Sequence, residues 1–306
     1  MTAVTVDNPH TGMPYRTGIV LVLLAGVFWS TMGIGIRMID HASAWQILFY
    51  RSLSLAIFLF VLFTIRSRGR PFGTFVRAGL PAIVGGVALM VAFIGSVMAI
   101  IGTTVANAFF LFASGPFFVA VLSWLILKER VRGATWIAII FAIIGIGMMV
   151  AEAISAGRLW GNAAAVMSAL GFAFFTLALR WGRTNDMAPL IFYGAIFTTI
   201  LSGAVCMLNG DGIVLSLNDG AIASALGALA LGGGMSVYTL GSRVVPAAEL
   251  ALLAMTEVLL GPFWVWLFLG ETAGIYTLIG GAILMAAIIG NALSGLRHRP
   301  VAGGVH

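Results

Sequence analysis

Charged residues are scarce in this chain. They make up 8% of its 306 residues, whereas a soluble domain carries about 25%. Apolar residues make up 61%, and the mean hydropathy is +1.09. So few charges cannot cover a water-exposed surface of this size. The composition therefore argues against a soluble domain and predicts an integral membrane protein.

Cysteine and histidine are also nearly absent. A single cysteine, Cys206, rules out an intramolecular disulfide. The four histidines lie outside the long apolar runs, at His10, His41, His298 and His306. This argues against a histidine-ligated haem or zinc site within the membrane. No His-Glu-x-x-His motif or P-loop is present either. We therefore expect no metal, no cofactor and no enzymatic activity.

What the chain has in abundance is long apolar runs. A membrane-crossing helix needs about 20 apolar residues, and runs this long and continuous exclude the alternating pattern of a β-barrel. The sequence predicts an all-α integral membrane protein with ten spans. Their predicted ranges are 17–38, 43–64, 79–101, 104–127, 133–151, 159–179, 188–208, 219–241, 246–269 and 273–294.

Positive charge collects on one side of these spans. With the amino terminus taken as cytoplasmic, 13 of the 16 Lys and Arg residues fall on the inner side and only Arg158 falls in an outer loop. This asymmetry follows the positive-inside rule. It predicts a multi-pass protein of the inner (plasma) membrane with both termini cytoplasmic. It also accounts for the net charge of +6, so the lipid bilayer is an expected partner and nucleic acid is not. We expect a monomer.

Part of the sequence is written twice. Trp124-Leu125-Ile126-Leu127-Lys128-Glu129 reappears 142 residues later as Trp266-Leu267-Phe268-Leu269-Gly270-Glu271. Nearly the same offset relates Gly18 to Gly161, Arg37 to Arg180 and Phe49-Tyr50 to Phe192-Tyr193. The predicted organisation is a tail at 1–16, a first repeat at 17–152, a second at 158–296 and a tail at 297–306.

Each repeat would contain five spans, and an odd number inverts the second repeat relative to the first. Inverted repeats are a common plan of secondary transporters, with the substrate bound near the midplane. The duplication therefore predicts transport by alternating access.

The same features resemble a known family. The motif Phe49-Tyr50-Arg51, the Leu-x-Glu ending of each fourth span and the division of the spans into five plus five resemble the EamA repeats of the drug/metabolite transporter (DMT) superfamily. Within it, Phe28-Trp29-Ser30-Thr31-Met32-Gly33 is similar to YddG-type exporters of aromatic amino acids. The resemblance implies export of small organic metabolites, a cavity between spans 1–4 and 6–9, and peripheral spans 5 and 10. One departure is Val258 after Glu257, where many members have proline; here Pro262 comes later.

Three charged residues fall within spans, where each costs about 2.5–3.5 kcal/mol to insert. Glu249 is near the start of span 9, where an acid suits a helix N-terminus. Glu257 is near the centre of span 9 and is a candidate for proton coupling. Arg51 in span 2 could either snorkel outward or pair with a carboxylate. Protons are thus a candidate coupling ion.

Further candidates are aromatic and polar residues at middle depths. Aromatic walls with few polar groups suit small organic solutes. The cavity candidates are Trp29, Ser30, Tyr50, Phe93, Asn107, Phe112, Ser114, Phe172, Thr198 and Tyr238. Glycine and proline could permit close packing or bending. The hinge or kink candidates are Gly115, Pro116, Gly232, Gly233, Gly234, Gly261 and Pro262.

Other functions remain open at this point. An exporter of drugs or lipophilic cations with the same fold is the main alternative to an amino acid exporter. An intramembrane enzyme or a channel ranks lower, because no catalytic motif and no repeated filter segment occur. The direction of flux does not follow from the residues themselves.

Overall fold

The structure is a computed structural model that describes residues 13–66, 78–182 and 187–297. Most of the two predicted tails therefore lies outside the described residues. The same is true of five residues that contributed to the predicted orientation: Arg68, Arg70, Arg77, Arg183 and Arg299. No strand occurs in the part of the chain that is described.

Ten helices are long and apolar enough to cross a membrane. We number them α1 to α10. The helices with a single regular segment are α1 (Tyr15–Arg37), α2 (Ala44–Arg66), α3 (Gly79–Gly102), α5 (Gly133–Ser155), α6 (Leu159–Trp181), α7 (Ala188–Asn209), α9 (Ala247–Leu269) and α10 (Ile275–Arg297). The predicted all-helical membrane fold with ten spans is confirmed. Its division into two inverted repeats stays a prediction.

Helix α4 is broken in its middle. It consists of Val105–Ala113 and Gly115–Ile126, joined at Ser114. The break comes directly before Gly115 and Pro116, and proline cannot donate the helical hydrogen bond at its own position. The Ser114 hydroxyl donates to the Leu111 carbonyl at 2.5 Å and so satisfies one of the carbonyls at the break.

Helix α8 changes its winding. It runs as Leu217–Ala225, then as a π-helical segment Leu226–Gly233, and then as Gly234–Gly241. Within the π segment, a Cβ added to Gly227 would lie 1.9 Å from the Arg51 carbonyl oxygen of α2. Only glycine permits this approach of α8 to α2. π-Helical turns are rare and occur often at functional sites.

Eight of the helices pack as two bundles. In the first, which we call the α1 bundle, α1 lies along α8 and α9 while α2 lies along α8. In the second, the α6 bundle, α6 lies along α3 and α4 while α7 lies along α3. The bundles meet mainly where α2 packs on α7 and where α4 packs on α9. Each bundle combines helices from both predicted repeats.

The remaining helices, α5 and α10, pack against each other. At one end of the pair the Glu152 carboxylate accepts from the Thr277 N–H at 2.6 Å and from its hydroxyl at 2.7 Å. At the other end the Thr135 hydroxyl donates to Asn291 Oδ1 at 2.8 Å. The two threonines are 142 residues apart, the offset of the duplicated motif. This arrangement fits the predicted peripheral role of spans 5 and 10.

Candidate functional site

Aromatic and polar side chains of three helices meet inside the α1 bundle. The rings of Trp29 on α1 and Tyr238 on α8 have centroids 5.3 Å apart. Beside them, Trp264 Nε1 on α9 donates to the Ser30 hydroxyl at 2.9 Å. Gly234 makes room for this cluster, because a Cβ there would lie 2.6 Å from Trp29 Nε1. Trp29, Ser30 and Tyr238 are therefore brought together as predicted neighbours of one site.

Arg51 points from α2 across to α3. It is 1% exposed, and its Nη2 donates to the Phe93 carbonyl at 3.2 Å while its Nη1 lies 3.5 Å from the Ser96 hydroxyl. The guanidinium carbon is 5.1 Å from the centroid of the Phe93 ring, which is within cation–π range. Its Nε has no hydrogen-bond partner. The two interpretations left open by the sequence were snorkelling and pairing with an acid; the described residues show neither.

Glu257 on α9 is half-buried and forms no ion pair among the described residues. It is close enough to Tyr238 for its charge to act on the tyrosine hydroxyl. The site thus holds an acid on α9 and a base on α2 that are not spent on each other. A buried charge is costly unless something compensates it, which makes both groups available to a ligand.

The contact between α4 and α9 involves only one part of α4. The segment Val105–Ala113 packs on α9, whereas Gly115–Ile126 makes no comparable contact with α9 and packs on α6 instead. At the contact, a Cβ added to Gly261 would lie 2.6 Å from a Phe109 ring carbon. Phe109 also stacks with Phe112 at 5.8 Å between centroids. The α4–α9 interface is therefore closed toward the start of α4 and parted toward its end.

Several predicted polar groups already have partners within the protein. Asn107 is 3% exposed and donates to Asn162 Oδ1 at 2.5 Å and to the Thr103 hydroxyl at 3.1 Å. The fully buried Thr198 hydroxyl donates to the Gly194 carbonyl at 2.7 Å. These bonds, like the one already described for Ser114, stabilise helix packing and leave those donors unavailable to a substrate.

The other predicted residues vary in position. Tyr50 is half-buried beside Gly220, with its ring 5.6 Å from that of Phe49. Phe172 is 51% exposed on α6, near Gly115. The Glu249 carboxylate accepts from the Tyr15 hydroxyl in the first turn of α9, the position where an acid favours a helix N-terminus.

The hinge candidates differ in what they do. Gly115 and Pro116 follow the break in α4, and Gly232 to Gly234 end the π-helical segment of α8. By contrast, α9 continues as a regular helix through Pro262.

Two Arg–Glu pairs lie at opposite ends of the bundles. We call these ends the Glu271 end, predicted to face outward, and the Glu129 end, predicted to face the cytoplasm. At the Glu271 end, Arg37 Nε lies 2.9 Å from a Glu271 oxygen. The same pair binds backbone between α3 and α4: Arg37 Nη2 donates to the Thr103 carbonyl at 2.7 Å, and the Val105 N–H donates to Glu271 at 2.6 Å.

At the Glu129 end, Arg180 Nη1 lies 2.7 Å from a Glu129 oxygen. Arg180 also donates to the Ser123 hydroxyl at 3.2 Å. Both of these contacts stay inside the α6 bundle and its following loop. Among the described residues, neither Arg180 nor Glu129 bonds to the turn between α8 and α9.

Sequence reasoning missed several of these residues as parts of a site. Trp264, Ser96 and Phe109 were not singled out, because nothing in the sequence marks which face of a uniformly apolar helix points inward. Arg37, Arg180, Glu129 and Glu271 served only as markers of the duplication. The signal that could have paired them was present, since the offset that relates the two arginines also relates the two glutamates.

Comparison with known proteins gives the context for this geometry. Residues 16–151 match the family described as the EamA-like transporter family. The chain is 24% identical over 284 residues to a pseudopaline exporter of Pseudomonas aeruginosa, covering 90% of this chain and 95% of that protein. It is 25% identical over 133 residues to an uncharacterized transporter of Helicobacter pylori, covering 42% and 43% of the two chains. A crystal structure with 17% identity superposes with a TM-score of 0.65 over 93% of this chain and 100% of that one, which shows the shared fold.

These findings confirm the resemblance to EamA transporters that the sequence indicated, and with it a multi-pass membrane protein that carries a small molecule. The narrower resemblance to YddG-type exporters is not confirmed.

Proposed function

We propose that this chain, a member of the EamA-like transporter family, is a secondary active transporter that exports small organic metabolites with a carboxylate group. Aromatic and other neutral amino acids are the simplest substrates of this kind. Transport proceeds by alternating access in the inner membrane, with both termini cytoplasmic, and the chain acts as a monomer without enzymatic activity.

The observation that carries this proposal is the state of Arg51. Its guanidinium is buried in the middle of the spans, has no acidic partner among the described residues and keeps one N–H without an acceptor. A guanidinium is the side chain best suited to bind a carboxylate through two parallel hydrogen bonds. A substrate carboxylate would supply the missing counter-charge.

The rest of an amino acid also finds suitable chemistry here. Glu257 carries no ion pair and can attract an ammonium group. Trp29, Tyr238 and Phe93 provide the apolar and aromatic surface that small-molecule sites use to bind a side chain. Burial of both charged groups of a zwitterion against Arg51 and Glu257 would offset the cost of keeping these residues inside the membrane.

The direction and mode of transport have separate support. Export agrees with the printed function of the Pseudomonas aeruginosa relative. Alternating access agrees with two bundles that touch through α4 and α9 toward the Glu271 end and part toward the Glu129 end.

The proposal is tested by counterflow in proteoliposomes that contain the full-length protein. Vesicles loaded with an unlabelled compound are given a trace of the same labelled compound, using a panel of aromatic, other neutral and basic amino acids together with lipophilic cations. We expect exchange of neutral amino acids and no exchange of compounds without a carboxylate. Exchange of a lipophilic cation, without exchange of any amino acid, would contradict the proposal.

That contradicting result would favour the alternative substrate class. An acid beside aromatic rings, as Glu257 is beside Tyr238 and Trp29, also suits a cation. The alternative uses the same helices but gives Arg51 no role in binding, so the same panel separates the two.

A further inference from the structure

We propose that the two Arg–Glu pairs are equivalent latches that close opposite ends of the transport path in turn. Each pair, held by one bundle, grips the backbone where the other bundle begins its fourth or ninth helix. In this structure the latch at the Glu271 end is engaged and the latch at the Glu129 end is disengaged. The alternation rests on the proposed function, whereas the grip itself rests on the geometry of the engaged latch.

The engaged latch joins the two bundles. Arg37 ends α1 and Glu271 follows α9, so the pair belongs to the α1 bundle. Its two backbone partners, the Thr103 carbonyl and the Val105 N–H, belong to the α6 bundle. Both are groups that the ends of α3 and α4 leave without helical partners. The glutamate therefore caps the start of α4, and the arginine binds the end of α3.

The disengaged latch has the same parts in exchanged positions. Arg180 ends α6 and Glu129 follows α4, so this pair belongs to the α6 bundle. Subtracting the offset of the repeat turns Glu271 into Glu129, and an offset of one residue more turns Arg180 into Arg37. The repeat thus keeps both members of the pair but moves the pair to the other bundle and the other end.

The surface that the second latch would grip is already formed. Helix α9 begins at Ala247, which is 142 residues after Val105 at the start of α4. The residues before these two helices have nearly the same backbone angles: Thr104 has φ −67° and ψ 148°, and Pro246 has φ −60° and ψ 145°. By this correspondence, Glu129 would accept from the Ala247 N–H, and Arg180 would donate to the Val245 carbonyl.

The packing explains why only one latch is engaged. Because α4 packs on α9 only through its first segment, the Glu271 end brings the bundles together and the Glu129 end keeps them apart. Solvent exposure follows the same order. The Arg37 and Glu271 side chains are 28% and 23% exposed, whereas those of Arg180 and Glu129 are 46% and 48% exposed.

The inference is tested by distances between spin labels on α1 and α6 at each end. In a Cys206→Ser background of the full-length protein in lipid nanodiscs, one pair is Met38→Cys with Leu159→Cys at the Glu271 end. The second pair is Thr17→Cys with Trp181→Cys at the Glu129 end. All four positions are exposed, and each pair spans the two bundles.

Glu271→Gln should weaken the engaged latch, because an amide accepts the Val105 N–H and the arginine without a charge. We expect the ratio of closed to open at the Glu271 end to fall about tenfold, the size of effect that loss of a charge-assisted bond produces. Distances at the Glu271 end then lengthen while those at the Glu129 end shorten. In the Glu271→Gln/Glu129→Gln double variant, the shortening at the Glu129 end disappears.

Two further variants sharpen this test. Arg37→Glu with Glu271→Arg restores an ion pair but reverses its donors and acceptors, so it cannot bind Thr103 and Val105; we expect it to behave as Glu271→Gln does. Glu152→Gln removes a comparable backbone-binding acid from the α5–α10 pair and should change neither distance. Arg37→Lys, which keeps the charge but not the planar fork, should shift both distances in the direction of Glu271→Gln.

Three results would overturn the inference: unchanged distances in both Glu271→Gln and Arg37→Lys, wild-type behaviour of the reversed pair, or an equal shift in Glu152→Gln. None of these distances requires a substrate. If they shift as expected while no compound exchanges in counterflow, the latch stands and the proposed transport function fails.

Discussion

The two ends of the molecule carry the same residues in different states. At the Glu271 end, an Arg–Glu pair binds two backbone groups of the opposite bundle. At the Glu129 end, the related pair binds only itself and a serine of its own bundle. The difference cannot come from the chemistry of the pairs, which is identical. It comes from how near the opposite bundle lies, so the state of each pair reports which end is closed.

The midpoint between the ends teaches a complementary lesson. Arg51 and Glu257 have no relatives at corresponding positions in the other repeat: the offset of 142 pairs Arg51 with Tyr193 and Glu257 with Gly115. The ends thus keep the duplicated residues that a symmetric motion needs, while the middle carries residues found in one copy only, as an asymmetric substrate requires.

The largest effect is expected at this midpoint. Arg51→Gln removes the only buried cation of the described residues and should lower counterflow of carboxylate substrates by about 30-fold or more, since losing one partner of a buried charged contact costs about 2–5 kcal/mol. Arg66→Gln is the matched control, because Arg66 is exposed at the end of the same helix. Equal counterflow of an amino acid by the Arg51→Gln variant and the wild type would exclude Arg51 from binding.

A bulky residue at the α4–α9 contact should break the difference between the ends. Gly261→Val places a side chain against the Phe109 ring, and overpacking of this kind costs about 1–3 kcal/mol. We expect the Glu271 end to open, measured with the α1–α6 label pairs. Gly147→Val is the control, because a Cβ at Gly147 meets nothing within 4 Å. A closed Glu271 end in Gly261→Val would show that this contact does not hold it.

Glu257→Gln should act on coupling and leave both ends as they are. Intramembrane acids often relay protons in transporters, and the charged neighbour most directly linked to this one is the Tyr238 hydroxyl. We expect flux to lose its dependence on pH between about pH 5 and 8, as measured by uptake into proteoliposomes at matched membrane potential. The same pH profile as the wild type would remove Glu257 from the coupling mechanism.

The smallest effect is expected away from both ends of the path. Asn291→Ala removes the bond from Thr135 between α5 and α10, which should cost about 0.5–1.5 kcal/mol of stability. Thermal unfolding in detergent should show a small decrease in the midpoint while counterflow stays at the wild-type rate. A large loss of counterflow would contradict the peripheral role of this helix pair.

Much of the fold follows from the sequence. The ten predicted spans agree with the helices because about 20 consecutive apolar residues leave few other structures possible in a membrane. The π-helical segment of α8 was not predicted, since it depends on the approach of Gly227 to the Arg51 backbone. Such a contact joins residues that are far apart in the chain, and local patterns carry no record of it.

The candidate site was predictable in part. Trp29, Ser30 and Tyr238 do lie together, and Arg51 and Glu257 do stand without ion pairs. Asn107 was a plausible binding group by residue type, but it is bound to Asn162 instead. Which polar groups are already satisfied depends on the neighbouring helix. The spacing of residues within one helix does not reveal it.

The most direct test of alternating latches is an experimental structure of the Glu271→Gln variant in lipid. The account predicts an open Glu271 end, with the Glu129 carboxylate within hydrogen-bonding distance of the Ala247 N–H and Arg180 bound to the Val245 carbonyl. A structure in which the Glu271 end opens while Glu129 and Arg180 stay apart from the start of α9 would contradict it.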